Sequence, residues 1–218
     1  MNSQAASLAT LKNRKKINMT LNVIVAGATG KTGRQLIADI KEMGANPIAL
    51  VRESSDTSVL PTGTQTRIAD LTNLKDDSCA GAEVVVFAAG SGGGTSAEMT
   101  DKVDRDGAKR LIDIAAKSGV KRFVMLSSVG ADQENPQGDL AHYLKAKHEA
   151  DEHLKASGLT YSILRPVALT DDGRSDKVLL GSDVDKSAQA SRADVAYVMA
   201  DAAVNGSHDG KSQDMQSA

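Results

Sequence analysis

Val23-Ile24-Val25-Ala26-Gly27-Ala28-Thr29-Gly30-Lys31-Thr32-Gly33-Arg34 is an apolar, β-branched run that breaks into three glycines spaced three apart. A helical pattern follows at once, with Leu36, Ile37 and Ile40 on one face. A buried parallel strand turns in this way into a helix whose N-terminus faces an anionic ligand. The first glycine permits the tight turn, the second lets the backbone approach a pyrophosphate, and the third lets the helix pack on the sheet. Strand before and helix after are the context that separates a dinucleotide loop from an ordinary glycine-rich turn. The stretch is not G-x-x-x-x-G-K-[ST], so an ATPase-type phosphate loop is not supported.

The chain has 218 residues, enough for one α/β domain with a real core. Its formal net charge of -2 argues against nucleic acid as the main partner. No apolar run approaches the ~20 residues that span a bilayer, so no membrane partner is expected. A single cysteine, Cys79, excludes an internal disulfide and suits a reducing, cytoplasmic setting. No glycine elbow or histidine frames Cys79, which reads as an ordinary small residue. Residues 1–18 hold no acid and carry Lys12, Arg14, Lys15 and Lys16. They read as a disordered extension before an internal start near Met19, with a basic arm on a polyanion as the alternative. The folded domain is then 19–218.

Strands are expected at 46–51, 66–69, 83–88, 121–126 and 160–164. Helices are expected at 97–118, at 139–157, and from a Ser191 cap to Ala203. The alternation implies a Rossmann-like, doubly wound parallel sheet with right-handed crossovers in a single domain. The stretch from Val167 to Ala190 is irregular, and about 166–190 is assigned as a small C-terminal substrate region. The polar tail from Asn205 to Ala218 lacks the apolar strand that would close the sheet, and is expected to be mobile or unpaired.

Ligands of such sheets bind at the carboxyl ends of the strands. The cofactor contacts expected there are Gly27, Thr29, Gly30, Lys31, Thr32, Gly33 and Arg34 of the loop, then Arg52, Ser54 and Ser55 after the second strand. Asp70 and Leu71, Ala88, Ala89 and Gly90, Lys147, and Pro166 complete the set. An acid at position 52 would bond a ribose 2′-hydroxyl and repel a 2′-phosphate; an arginine does the reverse, which favours NADP(H) over NAD(H). Asp70 can bond the adenine amino group or cap a helix starting near Asn73.

Tyr143 and Lys147 lie four apart on a helix and so share a face. A phenol ordinarily titrates near 10, and a neighbouring ammonium favours its phenolate. Tyr143 can then protonate a carbonyl oxygen as hydride reaches the carbon. Ser127 or Ser128, at a strand end, can bond the same oxygen. The bland reading is a surface Tyr-Lys pair at a common spacing. His142, His148 and His153, with Glu149, Asp151 and Glu152, lack metal-ligand spacing and read as a solvated helix face; no metal is expected.

As a set, Gly27-Ala28-Thr29-Gly30-Lys31-Thr32-Gly33, Leu50-Val51-Arg52, Asp104-Arg105-Asp106-Gly107, Tyr143-Leu144-Lys145-Ala146-Lys147, Leu164-Arg165-Pro166 and Ser191-Arg192-Ala193-Asp194-Val195 resemble the short-chain dehydrogenase/reductase superfamily. The likeness is to its atypical branch of sugar-epimerase-like proteins and biliverdin-IXβ/flavin reductases, and covers about Asn22 to Val204. The resemblance implies a Rossmann fold, an NAD(P)(H) cofactor and a Ser-Tyr-Lys set made of Ser127 or Ser128, Tyr143 and Lys147. It gives Arg52 the 2′-phosphate. The asparagine often found on the long helix is Asp104 here, which bears on any proton relay. The implied activity is NADPH-dependent reduction of a small carbonyl, quinone or flavin-like molecule by a monomer or homodimer. The alternatives are a non-catalytic NADP(H) sensor and a sugar-nucleotide epimerase or dehydratase.

Overall fold

The computed structural model describes residues 20–92, 94–175 and 177–218, so the basic stretch at 1–18 lies outside the described residues. β1 (Asn22–Ala26) runs into α1 (Lys31–Glu42), followed by β2 (Asn46–Val51), β3 (Gln65–Ile68) and β4 (Val84–Phe87). Next come α2 (Ala97–Thr100), a π-helical stretch at Asp101–Gly107, α3 (Ala108–Lys117), β5 (Arg122–Leu126) and α4 (Ala141–Ala156). The chain ends in β6 (Thr160–Pro166), β7 (Ala168–Thr170), β8 (Val178–Leu180), β9 (Gln189–Ser191), α5 (Arg192–Asn205) and β10 (Lys211–Ser217).

The sheet order is β3-β2-β1-β4-β5-β6-β10-β8, with every neighbouring pair parallel except β10 and β8. Val23 and Val25 of β1 pack into one layer with α1 and α5, whereas Ile24 and Ala26 face the other, with α3 and α4. Burial on both faces is why β1 and β4 read as unbroken apolar runs rather than alternating ones. Phe87 and Phe123, the only two phenylalanines, are both fully buried. Strand order reverses between β1 and β4, which is where such sheets open a crevice.

Three expectations need correction. The long helix is not uniform, because seven residues at its centre, Asp101–Gly107, are π-helical. A Cβ on Gly107 would lie 2.9 Å from the Leu71 carbonyl oxygen, so the helix touches the loop after β3 closely. The region from Val167 to Ala190 is not without structure: β7 and β9 pair as a small parallel ribbon, and β8 joins the main sheet. The C-terminal tail is a strand, not a mobile end. β10 pairs parallel to β6 and antiparallel to β8, with Met215 fully buried beneath it. Its polar sequence hides this because backbone pairing and side-chain anchors hold it. Arg122 donates to both Asp209 oxygens, at 2.6 and 2.7 Å, just ahead of β10. Near the chain end the Ser217 hydroxyl donates to Asp194, whose own N–H is capped by Ser191.

Met215→Ala should therefore lower stability by about 2–5 kcal/mol, as expected for a truncated buried methionine. A polar tail lying free in solvent would show no change in urea unfolding midpoint.

Candidate functional site

A crevice of about 330 Å³ opens at the carboxyl edge of β1, β2 and β4. Of the residues expected to touch a cofactor, Gly27, Thr29, Gly30, Arg52, Ser55, Asp70, Leu71, Ala88, Ala89 and Gly90 line it. Thr72, Ser91, Met99 and Val103 line it too and were not singled out from the sequence. Met99 and Val103 are four apart on one helix face, a signal that reads equally as core packing.

The glycines account for the shape of the floor. Gly27 has φ +79°, and a Cβ there would lie 2.6 Å from the Ala89 backbone. A Cβ on Gly33 would lie 2.1 Å from the Gly27 carbonyl oxygen, so only glycine lets α1 seat there. α1 starts at Gly30 with no side-chain cap and no acid in its first turn, leaving backbone N–H groups for an anion. A dinucleotide fits such a cradle: its pyrophosphate would lie over Gly27–Gly30 and its adenosine end by Arg52 and Asp70. Thr32 and Gly33 are buried in the packing of α1, Arg34 and Ser54 are exposed and do not line the crevice, and Pro166 is buried at the end of β6.

Asp70 caps no helix. Its Oδ1 accepts the Thr72 N–H and hydroxyl, both at 2.8 Å, in a local turn. Those bonds, with a smaller pull from Arg52, hold the Asp70 carboxyl below its usual range. Arg52 is exposed, and its backbone N–H donates to the Ser55 hydroxyl at 3.0 Å. Lys31 leaves the loop to pair with Asp171, which Arg192 also binds at 2.6 Å.

Tyr143 and Lys147 do not line this crevice; the Lys147 ammonium lies 5.8 Å from the Tyr143 ring centre. Lys147 is no surface lysine: its side chain is 3% exposed. Its Nζ donates to the Leu126 carbonyl at 3.1 Å and lies 3.2 Å from Oδ1 of the fully buried Asp104. Burial opposes the charge on Lys147, but Tyr143, Asp104 and Asp151 outweigh it and hold its pKa above the ordinary value. The other Asp104 oxygen accepts the N–H of Ser91, a crevice residue, at 2.9 Å. Asp104 thus joins the crevice wall to Lys147, and the π-helical turn carries it inward.

Ser127 is not brought to the crevice. It is 3% exposed and donates to Asp151 at 2.9 Å, where Arg165 also donates at 3.0 Å. Burial pushes the Asp151 carboxyl above its usual range against the pull of Arg165, Ser127 and Lys147. Ser128 is half-buried with its hydroxyl 3.3 Å from the Val129 carbonyl. The expectation of a solvated α4 face therefore fails at Asp151, as the bland reading of a surface lysine fails at Lys147, while His153 pairs with Asp113 at 2.7 Å. No group of three or more metal-ligating side chains occurs among the described residues. Among them, too, no helix is long and apolar enough to cross a membrane.

A model of an NAD(P)H-binding family matches residues 27–205. The uncharacterized sugar epimerase YhfK of Bacillus subtilis is 37% identical over 182 residues, covering 81% of this chain and 85% of its own. The structure of a proposed NAD-dependent epimerase/dehydratase from Bacillus halodurans superposes with a TM-score of 0.84 at 34% identity, over 91% of this chain and 94% of that one. The oxidoreductase ylbE from Lactococcus lactis gives 0.79 at 26% identity, with 91% of each chain covered. The chain belongs to this NAD(P)H-binding family and has a Rossmann-like fold, and it is similar to relatives named as epimerases.

Two outcomes follow from the buried groups. Asp104→Asn strands a buried ammonium and should cost about 3–5 kcal/mol in chemical denaturation, while Asp104→Asn combined with Lys147→Met recovers most of it. Burial pushes the Cys79 thiol up to about 12. It is protonated at pH 8 and fully buried, so a thiol reagent should modify it only at the rate of unfolding.

Proposed function

We propose that this family member is an NADP(H)-dependent oxidoreductase that reduces a small carbonyl, quinone or flavin-like substrate. The observation that carries the reading is a crevice with the glycine cradle at its centre, the exposed Arg52 at its adenosine end and no acid at position 52. An exposed guanidinium is suited to a 2′-phosphate, for which it offers paired charge-assisted bonds. When bound, the reduced nicotinamide supplies the hydride.

The chain's own residues then supply positioning and a proton. Tyr143 Oη hands its proton to the substrate oxygen. Lys147, charged and 5.8 Å from the tyrosine ring, stabilises the phenolate left behind. With its Nζ committed to Leu126 and Asp104, Lys147 acts through its field rather than by holding the ribose. The segment of about 166–190 covers the substrate side. Ser128, and not Ser127, is the serine that can reach a substrate oxygen, because the Ser127 hydroxyl is spent on Asp151. That same engagement of Ser127 favours, as a second reading, an NADP(H) sensor that binds cofactor without turnover.

Titration with NADPH and NADH tests the first step. Arg52→Ala should weaken NADPH about tenfold, the lower end for a charged hydrogen bond, and leave NADH nearly unchanged. Equal losses for both cofactors would end the 2′-phosphate assignment. Once an acceptor is found by screening carbonyls, quinones and flavins, Tyr143→Phe should cut turnover by about 10²–10⁴-fold with cofactor affinity intact. Turnover that survives the substitution removes the tyrosine mechanism, and no turnover with any acceptor favours the sensor.

A further inference from the structure

Two cations, one of them the residue that follows Gly30 of the glycine loop, converge on one carboxylate. Lys31, the first residue of α1, pairs through Nζ with Oδ2 of Asp171. Arg192, the first residue of α5, donates from Nη1 to Oδ1 at 2.6 Å. The two helix starts differ. The Ser191 side chain caps α5, whereas α1 has neither a side-chain cap nor an acid in its first turn. The acid that serves the Lys31 end arrives from elsewhere, on the segment that follows β7, where residues 171 to 175 are all exposed. Lys31 and Asp171 are themselves 59% and 56% exposed, and a solvated pair of that kind adds little stability.

We propose that Lys31 and Arg192 form an anion subsite beside the glycine loop, that Asp171 is its resident occupant, and that a ligand phosphate group displaces it. This rests on the cofactor reading above for its main ligand. An uncapped helix start with open N–H groups is where a pyrophosphate binds. A carboxylate held on Lys31, the next residue after Gly30, would then face like charge at close range. A phosphate offers Lys31 the same charge and more acceptor oxygens, and it also reaches the N–H groups that Asp171 leaves open. Exchange is thus favourable for a phosphate and unfavourable for a weak monovalent anion, so Asp171 lowers affinity while sharpening selection. The Arg192 side chain is 23% exposed, less than that of Lys31.

The test uses the full chain as wild type, Asp171→Asn, Lys31→Met and the double variant, with NADPH affinity read by nicotinamide fluorescence. Asp171→Asn should bind NADPH about three- to tenfold more tightly, since one repelling charge near a helix start is removed. In the Lys31→Met background the same substitution should change affinity by less than about twofold, as expected when two residues act on one another. Amides of 171–175 should exchange hydrogen faster when NADPH saturates the wild type. Unchanged or weaker binding by Asp171→Asn, or slower exchange at 171–175, overturns the proposal, because Asp171 would then be a strap over the ligand. Inorganic pyrophosphate separates the two sources of phosphate. Competition with NADPH that strengthens in Asp171→Asn assigns the subsite to the cofactor's own pyrophosphate. Binding alongside saturating NADPH, again strengthened in Asp171→Asn, assigns it to an anionic substrate. If the wild type binds neither NADPH nor NADH, the cofactor reading fails by itself, and the pyrophosphate response of Asp171→Asn still decides this proposal.

Discussion

A gap too small for a methyl group organises this molecule. Any side chain at Gly33 would enter the Gly27 carbonyl, and any at Gly27 would enter the backbone of Ala88 and Ala89. Those contacts set how deeply α1 seats between β1 and β4, and so the width of the crevice at the point where strand order reverses. Because α1 packs so low, its first N–H groups face the crevice instead of a capping side chain. The anion-binding end of the helix and the close packing of the helix on the sheet are thus one structural fact.

The charged groups divide into two populations with different physics. Arg52, Arg34 and Lys31 stand in solvent, where water screens them and partners can be exchanged at small cost. Asp104, Lys147, Asp151 and Arg165 are buried, where each charge is tolerable only because another lies beside it. The buried four sum to zero formal charge and link the π-helical turn, α4, β5 and β6. They fix the face of α4 that carries Tyr143. The rim can therefore respond to a ligand while the ground beneath the tyrosine does not.

What could be read in the sequence follows the same division. The β1 loop, the Ser191 cap and the apolar strands were legible because local backbone demands select particular residue types there. β10 was not, since only Met215 is buried and the strand is held by main-chain pairing and by side-chain bonds to Asp185, Ser191 and Asp194, distant in sequence. Asp151 was misread as part of a solvated face because a charge that has found a buried partner looks, in sequence, like one that has not. Asp104 stood out by its position on the long helix, yet its aim depends on the π-helical turn, which carries no residue signature of its own. Asp171 gave no signal at all: its two partners come from segments 140 and 21 positions away.

Net charge is a poor guide to such a site. The whole chain carries -2, which argues against polyanions as general partners, yet Arg52 lines the crevice and Lys31 directly follows its glycine loop. A low-dielectric cleft focuses the field of the charges nearest to it, so the local sign decides which ligand enters. Acids elsewhere on the surface keep the overall balance negative without weakening that local attraction, because salt screens them beyond about 10 Å. Asp70 lines the crevice itself and Asp171 pairs with the cation that follows the glycine loop, so these two acids temper the local field.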